Sequence, residues 1–316
     1  MVEDRILEVA IADRRLVEAL EATGGVDGAR VTHWDLRTPS PRQRWDIVVP
    51  PYIAPPSVLA ALDGLEVALV QGQSIGFDGI REHLPAGVPF ANAASVHETS
   101  TAELAVGLAI AAQRGFADFV RDAGEHRWAA AWRPSLADRR VLLVGYGGVS
   151  AAIDARLRAF EVEVTRVART AREATGPDGA PVHVHGIEEL PALLAGAEVV
   201  IVAVPLNAST TGLIGTAELA AMPDGALLVN VARGPVVDTD ALVAELRTGR
   251  LRAALDVTDP EPLPPDHPLY DVPGLLLTPH VGGASSAMVP RIVRLVRRQV
   301  ARMLAGESPL NLVIEA

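Results

Sequence analysis

Val141-Leu-Leu-Val-Gly145-Tyr-Gly147-Gly-Val-Ser150 decides how the rest of this chain is read. Four apolar residues run into a glycine-rich turn, and residues 151–160 continue with helical apolar spacing. A buried strand, a tight turn and a helix N-terminus in that order form a cradle for a pyrophosphate. Gly145 permits the turn, and Gly147 has no Cβ, so the backbone can approach phosphate oxygens. Such a turn also occurs in other α/β proteins, and the third small position here is Ser150 rather than Gly or Ala.

Downstream the alternation continues. Strands are predicted at 162–167, 199–204, 226–231, 253–257 and 275–278, with helices at 190–194, 216–222 and 240–248. Upstream, strand signals at 5–12, 29–36, 46–49, 66–70 and 88–92 alternate with helices at 14–22, 57–62 and 79–84. Short strands alternating with helices imply parallel sheets. A long helix at 99–114 is rich in small residues and apolar nearly all round. It should be buried at a seam between domains or between subunits. A last helix at 285–305 would carry the chain back over the first series.

The 316 residues suffice for one large domain or two ordinary ones, and a hydrophobic content of 49% supports a sizeable core. No apolar run reaches the roughly 18–20 residues of a membrane span. No apolar h-region follows the charged N-terminus, which points to the cytoplasm. There is no cysteine, which excludes disulfides, thiolate metal sites and cysteine nucleophiles. All 28 basic residues are arginine, which excludes lysine Schiff-base chemistry and a Walker A lysine. A net charge of −11 without a basic run argues against nucleic acid as the main partner.

Four strand ends carry chemistry. A carboxylate that holds the NAD ribose is expected about 20 residues past the glycines. Ala168 stands there instead, with Arg166, Arg169 and Arg172 around it. Guanidinium groups suit a ribose phosphate, so the reading leans towards NADP(H) over NAD(H); a solvated basic strand end is the alternative. At 229–238 a strand runs into Arg233-Gly234, where open α/β sheets bind ligands. Arg233 could clamp a carboxylate and polarise a carbonyl, or form a structural ion pair. At 255–269 a strand ends in acids, and prolines restrict where Glu261 points; a solvated acidic loop has the same pattern. At 277–285 His280 sits in a turn of small residues. Histidine exchanges protons near neutral pH, although a lone histidine is more often structural. An Arg, a Glu and a His at three strand ends of one sheet are harder to assign to packing.

At these residues the chain resembles the D-isomer-specific 2-hydroxyacid dehydrogenase family, in its glyoxylate/hydroxypyruvate reductase-like members, over nearly its whole length. The resemblance is carried by Gln71-Gly-Gln-Ser-Ile-Gly-Phe-Asp-Gly-Ile80, Ala102-Glu103-Leu-Ala, Gly145-x-Gly147, Pro205-Leu-Asn-x-x-Thr210, Asn230-x-Ala-Arg233-Gly, Asp238, Asp256-Val-x-x-x-Glu261-Pro and Thr278-Pro-His280-x-Gly-Gly. It implies a two-domain α/β fold. A flavodoxin-like substrate domain would span 1–96, completed by 285–316, and an inserted Rossmann dinucleotide-binding domain would span 97–284, with the cleft between them. It also implies an oxidoreductase that transfers hydride between NAD(P)H and a small 2-oxo acid or D-2-hydroxy acid, with glyoxylate or hydroxypyruvate the first choice.

The same resemblance implies residue roles. His280 would protonate the oxo oxygen in reduction and act as base in reverse. Glu261 would orient the imidazole and favour its charged form. Arg233 would bind the substrate carboxylate and polarise the carbonyl. The N–H groups of Ile75 and Gly76 would also bind the carboxylate, and Tyr52 would line the pocket or pack under its proline loop. Cofactor contacts would come from Gly145, Tyr146, Gly147, Gly148 and Val149 at the turn, and from Arg166, Ala168, Arg169 and Thr170 at the second strand end. Val204, Pro205, Asn207, Val231 and Ala232 would continue the cofactor site. Asp256 would meet the nicotinamide carboxamide, beside His280 and Gly282. A homodimer joined through the Rossmann domain is implied as well. The fold also serves corepressor relatives as a dinucleotide sensor, so a binding protein without useful turnover is the second reading.

The chain departs from the family at Ser150, at Ala168, and at Thr258-Asp259, where an aromatic and an acid are common. His183-Val-His185 has a spacing that could ligate a metal from one strand face. No third ligand is evident in the sequence, so a surface strand end and no metal are expected. Trp128 and Trp132 are expected to close over the cleft or support a subunit contact, and His97 and Glu98 to cap and pack the long helix.

Overall fold

The computed structural model describes residues 5–316. The chain folds as two compact units. One runs up to His97 and resumes from Ser285 to Ala316; the other is Glu98–Ala284. Among the described residues, no helix is long and apolar enough to cross a membrane.

The first unit is built on a sheet with the strand order Leu312–Ile314, Phe90–Ala91, Val70–Gln71, Ile47–Val49, Leu7–Ile11, Ala29–His33. Neighbours are parallel except Leu312–Ile314, which lies antiparallel to Phe90–Ala91 at the edge. Leu7, Val9, Ile11, Ile47 and Val49 pack against the helices Arg14–Ala22 and Met288–Leu304. Ala10, Val48, Val70 and Phe90 face Trp34, Trp45, Leu59 and Leu62 on the other side. Burial on both faces is why these strands read as unbroken apolar runs. The C-terminal helix is tied to the sheet by buried Gln299, whose Nε2 donates to Gln71 Oε1 at 2.6 Å and to the Leu310 carbonyl at 2.9 Å.

The second unit holds an all-parallel sheet in the order Leu275–Leu277, Arg252–Leu255, Leu227–Asn230, Val199–Val202, Arg140–Val144, Glu163–Val167. The chain starts at Arg140–Val144, goes outward to Glu163–Val167, then returns to the other side. That reversal is a topological switch point, where a crevice opens at the C-terminal strand ends. Leu142, Val144, Val200, Val202 and Leu228 pack on the helices Leu190–Leu194, Thr216–Ala221 and Thr239–Thr248. Val141, Leu143, Val199, Ile201 and Val229 pack on Glu98–Arg114 and Gly148–Leu157. The long Glu98–Arg114 helix is therefore a seam inside this unit. Its far side, at Glu103 and Gly107, is exposed.

The structure differs from the sequence expectations in several places. Residues 79–84 form turns instead of a helix, because Gly79 takes a left-handed φ of +70° and Pro85 closes the segment after one turn. The strand expected at 66–70 is two pieces. Glu66–Val67 pairs with Arg44–Trp45 in a separate small sheet, and Val70–Gln71 joins the main one. Residues 57–62 wind as the 3₁₀ helix Pro56–Leu62. The helix Phe116–Gly124, the hairpin of Arg172–Thr175 with Pro181–Val184, and the edge strand Leu312–Ile314 have no counterpart in the sequence reading. The hairpin did carry a signal, since Gly176-Pro-Asp-Gly179 is turn chemistry.

Candidate active site

At the switch point Val144 feeds Gly145, whose φ of +94° is left-handed. A Cβ there would lie 2.6 Å from the Ala203 carbonyl oxygen and 2.8 Å from Val204 Cγ1, so a side chain does not fit. Gly147 caps the Gly148–Leu157 helix without a side-chain hydrogen bond, and no atom lies within 4 Å of where its Cβ would stand. Uncapped N–H groups beside open space suit a pyrophosphate, so the residues present fit a dinucleotide. Glu98 packs against Gly148, where a Cβ would come 3.2 Å from Glu98 Cγ. Ser150 is 1% exposed and its Oγ has no hydrogen-bond partner. The first turn of this helix thus buries a bare hydroxyl, at a cost of about 1–3 kcal/mol.

Beneath the turn lies a buried ion pair. Asp154 has no exposed surface. Arg166 donates to it from Nε at 2.7 Å and from Nη2 at 2.9 Å, and the Tyr146 hydroxyl donates at 2.8 Å. Burial, and then the hydrogen bond and charge of Asp154, push the Tyr146 phenol above its ordinary pKa. Burial by itself would lower the Arg166 guanidinium, but Asp154 outweighs it and the net direction is up. Arg166 Nη1 donates to the Val164 carbonyl at 2.9 Å. Arg166 is thus committed to joining strand and helix. The expectation that it offers its guanidinium to a cofactor phosphate is corrected.

The other basic residues at this strand end are placed differently. Arg169 is exposed, and among the described residues no hydrogen bond or ion pair takes its guanidinium. Arg172 Nη2 donates to the Tyr146 carbonyl at 2.9 Å, beside the glycine turn. Ala168 N donates to the His185 carbonyl at 3.0 Å, and Thr170 is exposed. At the next strand end the Thr210 hydroxyl donates to the Pro205 carbonyl at 2.7 Å and accepts from Asn207 N at 2.9 Å. Asn207 Oδ1 turns back to accept from Ser209 N at 2.9 Å and from its hydroxyl at 2.7 Å.

Arg233, Glu261 and His280 follow three neighbouring strands of the one sheet. Asn230 shapes the first turn. Its Nδ2 donates to the Arg233 carbonyl and its Oδ1 accepts from Ala232 N, each at 3.0 Å. Half-buried Arg233 donates from Nη1 to the Ala232 carbonyl at 2.7 Å. Gly234 then packs flat on the next loop. A Cβ there would be 1.9 Å from the Thr258 carbonyl oxygen. Thr258 and Asp259, which had no sequence reading, brace this loop. The Thr258 hydroxyl donates to the Pro260 carbonyl at 2.9 Å, and the Asp259 carbonyl accepts from the Thr239 hydroxyl at 3.1 Å. Asp238 caps the helix that follows, accepting from Ala241 N at 3.0 Å.

Asp256 is 2% exposed and organises the last turn. Its carboxylate accepts from the Thr278 hydroxyl at 2.6 Å, Val281 N at 2.8 Å and Gly282 N at 2.9 Å. Its carbonyl accepts from His280 N at 2.7 Å. Clasped in this way, His280 holds a φ of +52°, uncommon for a residue with a side chain. Its Nδ1 lies 2.5 Å from Glu261 Oε1. With Nδ1–H donating to the carboxylate, Nε2 is the nitrogen left for a substrate. The two side chains are 42% and 40% exposed, so the pair is open to solvent.

In the first unit, the loop after Val70–Gln71 carries Ile75 and Gly76. Asn92 Nδ2 donates to the Ile75 carbonyl at 2.8 Å, and Gln73 Nε2 donates to the Pro50 carbonyl at 2.8 Å. The N–H groups of Ile75 and Gly76 take part in none of the hydrogen bonds among the described residues. Tyr52 stacks on His97 with ring centroids 5.3 Å apart, and His97 Nε2 lies 2.5 Å from the Gln73 carbonyl. His97 is thereby tied to this loop, a link the sequence did not reveal. Trp128 and Trp132 are fully exposed.

A parallel sheet with a glycine cradle at its switch point and an Arg, a Glu and a His at adjacent strand ends suits a class of dinucleotide-binding α/β proteins. Comparison with known proteins narrows that class. Residues 106–282 match the profile of the D-isomer specific 2-hydroxyacid dehydrogenase, NAD binding domain. The glyoxylate reductase of Thermofilum pendens is 33% identical over 268 residues, covering 81% of this chain and 77% of its own. A D-isomer specific 2-hydroxyacid dehydrogenase from Xanthobacter autotrophicus, solved with NADPH and MES, is 30% identical. The match covers 96% of this chain and 98% of that one, with a TM-score of 0.78. An NADPH-dependent glyoxylate/hydroxypyruvate reductase from Sinorhizobium meliloti, solved with NADP and malonate, is 25% identical over 98% of each chain, also at a TM-score of 0.78. The chain belongs to the D-isomer specific 2-hydroxyacid dehydrogenase family. It is an NAD(P)-dependent oxidoreductase of 2-hydroxy acids.

Proposed function

We propose that this protein reduces small 2-oxo acids to D-2-hydroxy acids, with glyoxylate and hydroxypyruvate as its substrates. The observation that carries the reading is the His280–Glu261 pair, at 2.5 Å, beside the Arg233 turn braced on the same loop. Bound NAD(P)H supplies the hydride to the substrate's oxo carbon. Arg233 binds the substrate carboxylate and polarises the neighbouring carbonyl. His280, as imidazolium, donates its Nε2 proton to the oxo oxygen as negative charge develops there. Glu261 accepts from Nδ1–H and fixes the orientation of the ring. In the reverse direction neutral His280 takes the hydroxyl proton. Asp256 positions His280 through its clasp on the turn. Ile75 and Gly76 keep the role of backbone donors to the carboxylate.

The cofactor reading favours NADP(H). The acid that would hold an NAD ribose is absent at Ala168, and Arg169 and Arg172 flank the position. The chain acts as a homodimer joined through the second unit. Val106, Gly107, Ile110, Ala155 and Phe160 line an apolar surface groove there, and Trp128 and Trp132 stand exposed on the loop after Phe116–Gly124.

A panel of 2-oxo acids assayed with NADPH and with NADH tests this reading. The expected outcome is oxidation of NADPH with glyoxylate and hydroxypyruvate, slower with NADH, giving the D-enantiomer where the product is chiral. A clear NADH preference sinks the cofactor assignment. No turnover across the panel, with tight cofactor binding, identifies a dinucleotide sensor instead.

A further inference from the structure

We propose that His183, His185 and Glu189 form a binding site for a divalent transition metal of the zinc class, at the outer edge of the second unit. The two histidines are two residues apart at the end of the Pro181–Val184 strand, so their side chains leave the same face. Their rings meet edge-on with centroids 4.6 Å apart. The third ligand is invisible in the strand itself. It comes from the short turn that follows, where Glu189 Oε1 accepts from Gly186 N at 3.2 Å and Oε2 lies 2.8 Å from His185 Nδ1. One ligand atom from each of the three residues lies within 4.8 Å of the others. Across the hairpin, Glu173 is the direct register partner of His183, and its Oε1 lies 2.8 Å from His183 Nδ1.

The chemistry of this set is specific. Two neutral imidazoles and one or two carboxylates offer nitrogen and oxygen donors that balance a divalent charge. Imidazole favours zinc, cobalt or nickel over calcium or magnesium. A tetrahedral zinc site with bonds near 2.0 Å places its donors about 3.3 Å apart. Closing from the present spacing needs side-chain shifts of roughly 1 Å, well within rotamer freedom for such exposed groups. Two exposed His–Glu pairs taken separately contribute little to stability. Gathering both histidines and Glu189 within 4.8 Å of one another is what a metal would use.

The site also touches the cofactor edge of the sheet. His185 N donates to the Arg166 carbonyl at 2.8 Å, and the His185 carbonyl accepts from Ala168 N at 3.0 Å. A bound ion would pin the strand end next to Arg169. The site itself stands whether or not His280 is catalytic.

The test uses tag-free protein, titrated with ZnCl₂ by calorimetry and with CoCl₂ by visible absorption. One ion per chain is expected, with a dissociation constant on the order of micromolar and cobalt bands of low-coordinate geometry. The double variant His183→Ala/His185→Ala should bind more than about 100-fold more weakly, and Glu189→Gln about 10-fold or more. His280→Ala should bind as the parent does. Circular dichroism checks each variant's fold, and Glu189→Gln alone carries the test if the double variant unfolds. The proposal is overturned if the parent takes up no ion below about millimolar, or if the folded His183/His185/Glu189 variants keep the same site.

Discussion

Gly234→Ala would place a Cβ 1.9 Å from the Thr258 carbonyl oxygen and 2.1 Å from its carbon, where real Cβ contacts essentially never fall below 3.0 Å. Both neighbours are backbone, so no flexible side chain can yield. The Arg233 turn and the Glu261 loop must part by roughly 1 Å. Overpacking of this kind costs about 1–3 kcal/mol. For a unit of this size, each kcal/mol lowers Tm by about 2–4 °C. The larger effect falls on catalysis, because a misplacement of about 1 Å between reacting groups costs on the order of 10²-fold. The glycine cradle lies on another strand end, so cofactor affinity should change little. Steady-state kinetics with NADPH and glyoxylate, a thermal scan and a fluorescence titration with NADPH separate these effects. The expected pattern is kcat/KM down about 100-fold, a modestly lower Tm and near-parental NADPH affinity. A variant with parental kcat/KM and Tm would refute the bracing of Arg233 against the Glu261 loop.

Three substitutions probe the cradle. Arg166→Ala leaves the Asp154 carboxylate buried without its partner, and should lower stability by about 3–5 kcal/mol in urea denaturation. Arg169→Ala should leave stability within about 0.5 kcal/mol yet raise KM for NADPH roughly 10-fold or more, with NADH little affected. Equal effects of the two variants on stability would contradict the separate roles given to these arginines. Ser150→Ala removes a buried hydroxyl with no partner, and should raise unfolding free energy by about 1 kcal/mol. A lower Tm for this variant would show that the hydroxyl is satisfied.

Much of this was legible in the sequence. Strand ends could be located because parallel strands buried on both faces give compact apolar runs, and the chemistry follows directly after each run. Arg233, Glu261 and His280 stand out that way, each just past one of three neighbouring strands. Pairing was harder. Arg166 shares a strand face with Ala168, so it read as part of a phosphate site. Its partner Asp154 lies 12 residues earlier on a helix, and only the packing of helix on strand shows that the guanidinium is taken. The same limit hid Glu189, which reaches the two histidines through a turn, and Thr258, whose backbone meets Gly234 across a loop. Residues 79–84 failed for a different reason. Apolar spacing there suits a helix, but Gly79 and Pro85 leave room for one turn only. Asp256 was assigned to the nicotinamide, whereas its hydrogen bonds show that it also holds the turn that aims His280.

The most direct measurement is single-turnover reduction of glyoxylate by His280→Ala with NADPH bound, at pH near 7, beside the parent protein. Cofactor affinity should be retained, because the cradle residues are untouched. The expected rate of hydride transfer falls by about 10²–10⁴-fold, the usual contribution of a positioned general acid. Near-parental transfer in the folded variant would contradict the assignment of His280 as the proton donor.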